Sequence, residues 1–281
     1  MQLLKIECKK MIKSKEFRIA LCALLVVSIL QGVENLKFVR WVSDSSINMV
    51  HPIGLDNISL KVRWMGADDY TLFGACFYML LPLLSAMAYS PSYLKEIRSG
   101  YAIQFFVRTK KKNYIICKWI ITFMSGILVV GIPLIVNLMI NALFCPLGTV
   151  RILSLQTAVV QGSFYSELFY EKPIRYMLLT IILGALWGGI CALLGMACSM
   201  FVNNVIVASI APLIGLNLMG VVLDNINRIF NITDLAVAPT DLMRAACHNK
   251  NPEGYVWGYC CIFLGVISIC ILKRGMQREI I

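Results

Sequence analysis

Six long apolar segments constrain the fold of this chain more than any other feature of its sequence. They cover approximately residues 17–33, 72–89, 115–143, 176–198, 205–223 and 255–272. Each is close to the ~20 residues that an α-helix needs to cross the hydrocarbon core of a bilayer. The third is longer, which predicts a helix that is tilted, kinked at Pro133 or extended beyond the bilayer.

Apolar residues make up 59% of the chain, compared with roughly 45–50% in soluble domains. The core of a soluble protein of this size could therefore not bury all six segments. We therefore predict an all-α membrane protein in which residues 1–281 form a single transmembrane domain with six transmembrane helices.

The distribution of charged residues predicts how these helices are oriented. If the N-terminus is cytoplasmic, the inner segments are 1–18, 91–118, 199–204 and 273–281, with 16 basic and 4 acidic residues. The remaining sequence carries 10 basic and 11 acidic residues. Because Lys and Arg are enriched on the cytoplasmic side, we expect both termini to be cytoplasmic. The basic residues are divided among separate segments, so the net charge of +11 does not indicate a nucleic-acid partner.

Residues 2–16 predict an amphipathic helix at the inner surface of the membrane. Leu4, Cys8, Met11 and Ile12 recur at helical spacing, and most of the lysines fall away from them. Such a helix suits the membrane interface. A charged tail that only sets the topology is the alternative.

The segment 91–118 predicts a contact site on the cytoplasmic side. Ser90 as N-cap and Pro91 in the first turn indicate a helix start, and Gly100 offers its end. Residues 101–107 are apolar but too short to cross a membrane. A basic cluster follows, formed by Arg108, Lys110, Lys111 and Lys112. A short apolar helix with a basic end requires burial against a partner protein or membrane lipid, and the three lysines suit anionic lipid.

No pattern in the sequence indicates catalysis. The phosphate-binding motif GxxxxGK[ST] is absent, both histidines fall outside the apolar segments, and no Cys/His cluster has zinc spacing. We therefore assign no catalytic residue, no metal ligand and no enzymatic activity. The middles of the six segments also hold no Asp, Glu, Lys, Arg or His. Coupled carriers normally keep such residues there, so uphill transport would require energy from another source.

Mildly polar residues in the apolar segments are candidates for lining a pathway. They are Tyr78, Ser85 and Tyr89 in the second segment, and Asn137 and Asn141 in the third. Hydrogen bonds between helices are the alternative role. The small residues of the fourth segment, such as Gly184 and Gly188, allow close helix contact in a packed bundle or a dimer seam. A disulfide between Cys145 and Cys247, both predicted outside the cell, is a further possibility.

The layout resembles the permease subunits of ABC-2-type transporters. Three stretches carry the resemblance: Ser92-Tyr93-Leu94-Lys95-Glu96 with the later Gly100, Arg108, Tyr114 and Lys118; the Gly-rich stretch 173–203; and Ala238-Pro239 before the last segment. The resemblance covers nearly the whole chain in layout.

The resemblance implies a partner for 91–118. Two permeases, identical or different, would pair and sit on separate ABC ATPase subunits, which would carry ATP and Mg while this chain binds no cofactor. A coupling helix between helices 2 and 3 would dock on the ATPase. Its contact residues would be Glu96, Gly100, Tyr101, Phe105, Phe106 and Arg108.

The expected function is therefore a membrane-spanning permease that exports a peptide, drug or amphiphilic molecule. The expected location is the bacterial plasma membrane. A carrier or channel that works without an ATPase is the main alternative, and a non-transporting membrane scaffold or membrane enzyme is the other.

Overall fold

The computed structural model describes residues 2–44, 58–68, 71–101, 104, 110–148, 159, 162–230, 237–244 and 250–277, and within them it contains helices and turns but no strand. In chain order the helices are α1 (Gln2–Lys13), α2 (Lys15–Asp44), α3 (Leu60–Arg63), α4 (Leu72–Tyr89), α5 (Pro91–Arg98), α6 (Lys111–Ala142), α7 (Ser166–Glu171), α8 (Pro173–Phe201), α9 (Val205–Phe230), α10 (Pro239–Leu242) and α11 (Glu253–Gln277). Six of them, α2, α4, α6, α8, α9 and α11, are long and apolar enough to cross a membrane. The prediction of an all-helical, multi-pass membrane protein is confirmed to this extent.

Several long helices extend beyond the apolar segments that predicted them. The apolar segment of α2 ends near residue 33, but the helix continues to Asp44 and keeps a buried side at Asn35 and Val42. An apolar run marks only the part of a helix suited to hydrocarbon, and an amphipathic continuation lies outside that signal. α6 continues through Pro133 as one helix of 32 residues. Its length of about 48 Å exceeds the ~30 Å hydrocarbon core, as the expected extension requires.

Both ends of the described chain lie at the same end of the bundle. At the start of α6, Lys111 Nζ donates a hydrogen bond to the backbone oxygen of Met276, near the end of α11, at 3.1 Å. The N-terminal helix α1 packs against the same part of α6. We call this the basic end, because it carries the lysines of α1, and we call the other the opposite end. The side of the membrane that each end faces stays a prediction.

Helix α8 forms the centre of the bundle. It packs against α4, α6, α9 and α11, and 72% of its most apolar stretch is buried. The corresponding shares are 28% for α9 and 22% for α11. The last two long helices are therefore peripheral in a single chain, and much of their apolar surface is left for lipid or another protein.

A close backbone contact joins α8 to α6. A Cβ atom added to Gly188 would lie 2.6 Å from the backbone oxygen of Gly126 and 2.6 Å from Val130 Cγ2. Only glycine fits such an approach, because any side chain would force the two helices apart. Of the two roles considered for the small residues around Gly188, the structure shows contact within the bundle.

We predict that Gly188→Ala destabilises the protein, because the new methyl group overlaps α6. Overpacking of this kind costs about 1–3 kcal/mol, which thermal unfolding in detergent would report as a lower midpoint. Gly215→Ala is the matched control, since no atom lies within 4 Å of a Cβ at Gly215 in α9. Equal midpoints for the two variants would contradict the close contact between α6 and α8.

Candidate functional site

A cluster of four charged side chains, three of them buried, joins three helices at the basic end. α1 contributes Glu7 and Lys10, which lie three residues apart and therefore share one face. α5 contributes Glu96, and α6 contributes Lys118. Tyr89 at the end of α4 and Tyr114 in the first turn of α6 complete the group, which we call the Lys118 cluster.

Lys118 is the centre of this cluster. Its Nζ atom donates to Glu7 Oε2 at 2.5 Å and to Glu96 Oε1 at 2.7 Å. The Tyr89 hydroxyl donates to Glu7 Oε2 at 2.7 Å. Glu96 also accepts hydrogen bonds from Tyr114 and Lys10. One ammonium group thus bridges a carboxylate of the N-terminal helix and a carboxylate of α5.

The burial of the cluster makes these bonds necessary. The exposed fractions of Lys118, Glu7 and Glu96 are 0%, 1% and 5%. A buried charge is strongly unfavourable unless it is paired and hydrogen-bonded, so these three buried members require one another. The two lysines and two glutamates are formally neutral together. Glu7 Oε1 is buried with no hydrogen-bond partner among the described residues. This arrangement fixes α1 against both helices that flank residues 99–110.

The predicted contact residues of 91–118 occupy different surroundings. Glu96 is buried in the Lys118 cluster, and its predicted contact with an ATPase stays a prediction. Gly100 has a φ of +70°, and α5 ends at Arg98, which confirms the predicted helix end. Tyr101 is half-buried, and Lys10 Nζ lies 4.4 Å from its ring centroid. Phe105, Phe106 and Arg108 lie outside the described residues.

The predicted start of this helix is right in one part and wrong in another. Pro91 occupies the first turn of α5, as predicted. Ser90, however, makes no side-chain cap, because its hydroxyl donates to the backbone oxygen of Ala86 in the preceding helix. Its backbone is helical, so α5 follows α4 almost directly and leaves little room for a capping geometry.

A second polar group lies at the opposite end of the bundle and joins α2 to α6. Asn137 Nδ2 donates to Gln31 Oε1 at 2.7 Å, and Asn35 Nδ2 donates to Asn141 Oδ1 at 2.8 Å. The backbone nitrogen of Met65 donates to Asn137 Oδ1 at 2.9 Å. We call these four amide side chains the amide layer. All four are fully buried, and they hold residues 58–68 against the bundle.

The pathway-lining candidates are therefore all interior residues with partners in the same chain. Asn137 and Asn141 belong to the amide layer. Ser85 Oγ donates to the backbone oxygen of Leu81 at 2.6 Å, and Tyr89 belongs to the Lys118 cluster. The ring centroid of Tyr78 lies 4.8 Å from Arg244 Cζ. The structure brings the two asparagines together and gives the other three separate environments. Their role in a pathway stays a prediction.

Two further sequence expectations concern cysteines and metals. Cys145 is buried with a free thiol, and burial raises its pKa to about 11, so the thiol is uncharged at neutral pH. Cys247 lies outside the described residues. Across the part of the chain that the structure describes, no group of three or more His, Cys, Asp or Glu side chains could hold a metal ion.

Sequence reasoning missed the inward face of α1. Of the predicted apolar side, Met11 is buried, while Leu4 and Ile12 are 37% and 54% exposed; Glu7, which was not assigned to any face, is buried. The face of α1 that packs against the bundle includes Glu7, because the Glu7 carboxylate pairs with Lys118 there. Glu7 is the only acidic residue among the lysines of α1, and Tyr114 and Lys118 are four residues apart. The sequence signals for this ion pair were the single carboxylate of Glu7 in a lysine-rich helix and Lys118, which lies beyond the basic cluster 108–112.

No protein-family model and no curated protein matches this chain. The fold and the two polar groups are accordingly the basis for a functional assignment.

We predict that Lys118→Met destabilises the protein by about 3–5 kcal/mol, because it leaves two buried carboxylates without their central partner. The measurement is thermal or denaturant unfolding in detergent. Lys112→Met, an exposed change on the same helix, should stay within about 0.5 kcal/mol. Adding Glu7→Gln and Glu96→Gln to Lys118→Met should recover part of the loss. If the two single variants are equally stable, the buried cluster does not hold these helices.

Proposed function

We propose that this chain is the membrane-spanning permease subunit of an ABC-2-type exporter, coupled to separate ATPase subunits. The observation that carries the proposal is the Lys118 cluster. It joins α1 to α5 and α6, which are the helices on either side of residues 99–110. A force applied to that segment by a partner would therefore reach α4 and α6 together. This is what a coupling segment requires.

The distribution of charge supports an external energy source. Each of the six spanning helices contains an 18-residue apolar window with at most two charged residues, and the Lys118 cluster lies at one end of the bundle. Residues that bind and release protons or ions at mid-membrane carry the coupling in secondary transporters. The middles of the predicted spans lack Asp, Glu, Lys, Arg and His, so ATP hydrolysis on a partner is the better energy source for uphill transport. In this proposal ATP and Mg belong to the ATPase subunits.

The exposed side of α9 supports a second permease. Asn217 lies in the middle of this helix and is exposed, with Nδ2 donating to the backbone oxygen of Leu213 at 2.8 Å. A polar amide is unfavourable in hydrocarbon, and small or polar residues commonly mark contacts between helices in membranes. A second permease packed along this side of α9 would cover Asn217.

The remaining parts of the proposal follow from this orientation. The basic end would face the cytoplasm, since basic residues are retained there. The helix α1 would lie in the inner membrane interface, with Leu4 and Ile12 toward lipid. The plasma membrane of a bacterium is the proposed location. The weakly polar interior suits a peptide, a drug or another amphiphilic molecule better than a strongly charged solute.

The contact with the ATPase is tested by Phe105→Asp combined with Phe106→Asp. We expect the double variant to lose most of the vanadate-sensitive ATP hydrolysis that copurifies with the tagged chain from its native membranes, because two charges would enter an apolar contact. The matched control is Phe201→Asp with Met276→Asp, which changes two exposed apolar residues near the basic end, outside 91–118. The proposal would be contradicted if no ATP hydrolysis copurifies with the wild-type chain. It would also be contradicted if the copurified activity is the same for the Phe105/Phe106 variant as for the wild type.

The stand-alone carrier or channel makes the opposite prediction. Purified chain reconstituted into liposomes would then move solute without ATP or an ATPase. The same preparation therefore separates the two functions.

Pairing along α9 is tested with two differently tagged copies of the chain expressed together. We expect Asn217→Leu to lower the recovery of one tag with the other by roughly eightfold, because two interhelical polar contacts of about 0.6 kcal/mol each are lost in a symmetric pair. Val266→Leu, at an exposed position of α11, is the control. Unchanged recovery would exclude Asn217 from the seam. No recovery of wild-type pairs would indicate that the second permease is a different chain.

A further inference from the structure

A hollow beside the Lys118 cluster shares Lys10, Glu96 and Tyr101 with the proposed coupling region, but the coupling assigns no ligand to it. It lies at the basic end, between α1, the first turn of α2 and the junction of α4 with α5, and its volume is about 380 Å³. This volume falls within the range of small-molecule sites. Its lining includes Lys10, Glu16, Met87, Pro91, Lys95, Glu96 and Tyr101.

The charges around the hollow alternate in sign. Lys10 pairs with Glu96, and Lys95 pairs with Glu16. The side chains of Lys95 and Glu16 are 47% and 40% exposed. An exposed ion pair contributes about 0–1 kcal/mol, so a ligand can replace it with little loss. The hollow therefore offers exchangeable positive and negative partners side by side.

The rest of the lining is apolar or weakly polar. Met87 and Pro91 line the hollow from the junction of α4 with α5, and the ring of Tyr101 faces Lys10. The helix α1, which lines the hollow through Lys10, also carries exposed apolar side chains. A ligand that fits has a charged part of both signs and an attached apolar part.

We propose that the hollow binds the headgroup of a phospholipid that carries a phosphate and a primary ammonium group. The phosphate accepts hydrogen bonds from Lys95 and Lys10, and the ammonium donates to Glu16. The start of the acyl chains lies against Met87 and Pro91. This inference depends on the membrane location of the bundle and is independent of the ATPase.

The alternating charges select among headgroups. A purely anionic headgroup meets the two lysines but leaves Glu16 and Glu96 facing its negative charge. A choline headgroup carries a quaternary ammonium without an N–H donor, so it makes no hydrogen bond to Glu16. The primary ammonium satisfies both requirements. Because Lys10 and Glu96 also belong to the Lys118 cluster, a bound headgroup holds α1 to α5 at the edge of that cluster.

The experiment compares short-chain phosphatidylethanolamine, phosphatidylglycerol and phosphatidylcholine as additives to the purified full chain in detergent. We expect phosphatidylethanolamine to raise the thermal midpoint most, and native mass spectrometry to show one tightly retained copy. Equal shifts for the three lipids, or the largest shift with phosphatidylglycerol, would overturn the proposal.

Variants at the mouth of the hollow assign the contacts. Glu16→Gln and Lys95→Ala should each weaken phosphatidylethanolamine binding by about two- to fivefold, the effect of one exposed charge pair. Lys9→Ala and Glu171→Gln are the controls, since both positions are exposed and lie outside the lining. Affinity from native mass spectrometry on the folded variants separates lost binding from lost stability. Unchanged affinity in both mouth variants would place the lipid elsewhere and overturn the lipid proposal. That result would not affect the proposed coupling to an ATPase.

Discussion

The desolvation of Lys118 is the constraint on which the basic end of the bundle depends. A fully buried ammonium group is tolerated only where carboxylates are held against it, and here they come from two different elements. Glu7 is supplied by the N-terminal helix and Glu96 by α5. The need to satisfy one cation thus determines where α1 docks and how α5 follows α4.

The opposite end is organised mainly by hydrogen bonds between amide groups, with one further bond from Gln31 to the buried carboxylate of Asp68. Gln31 and Asn35 on α2 meet Asn137 and Asn141 on α6, and the amides also bind the backbone of residues 58–68. Amides carry both donors and acceptors, so they pair with each other and with backbone groups without a net charge. The two ends therefore use different chemistry for the same task. The centre needs neither, because Gly126 and Gly188 bring α6 and α8 together directly.

The elements that the sequence predicts best are those with a strong local signal. Runs of about 20 apolar residues located all six long helices, and Gly100 marked the end of α5. The partners of Lys118 could not be found in this way, because Glu7 lies 111 positions away and its pairing depends on how α1 docks. Ser90 fits a capping pattern but forms no cap, since the preceding helix continues through it. The alternatives for Asn137 were defined by sequence, and only the fold shows the amide layer around it.

The two clamps on α6 have a mechanical consequence. Lys118 and Asn137 are 19 residues apart on one helix, a separation of about 28 Å along its axis. α6 is held by α1 at Lys118 and by α2 at Asn137. A helix held at two such points moves as a rigid rod. α8 packs against the middle of α6 through the glycine contact. A tilt of α6 would therefore move α8, at the centre of the bundle, with it. A movement at the basic end would then also displace residues 58–68 at the opposite end, without any rearrangement of the apolar core between them.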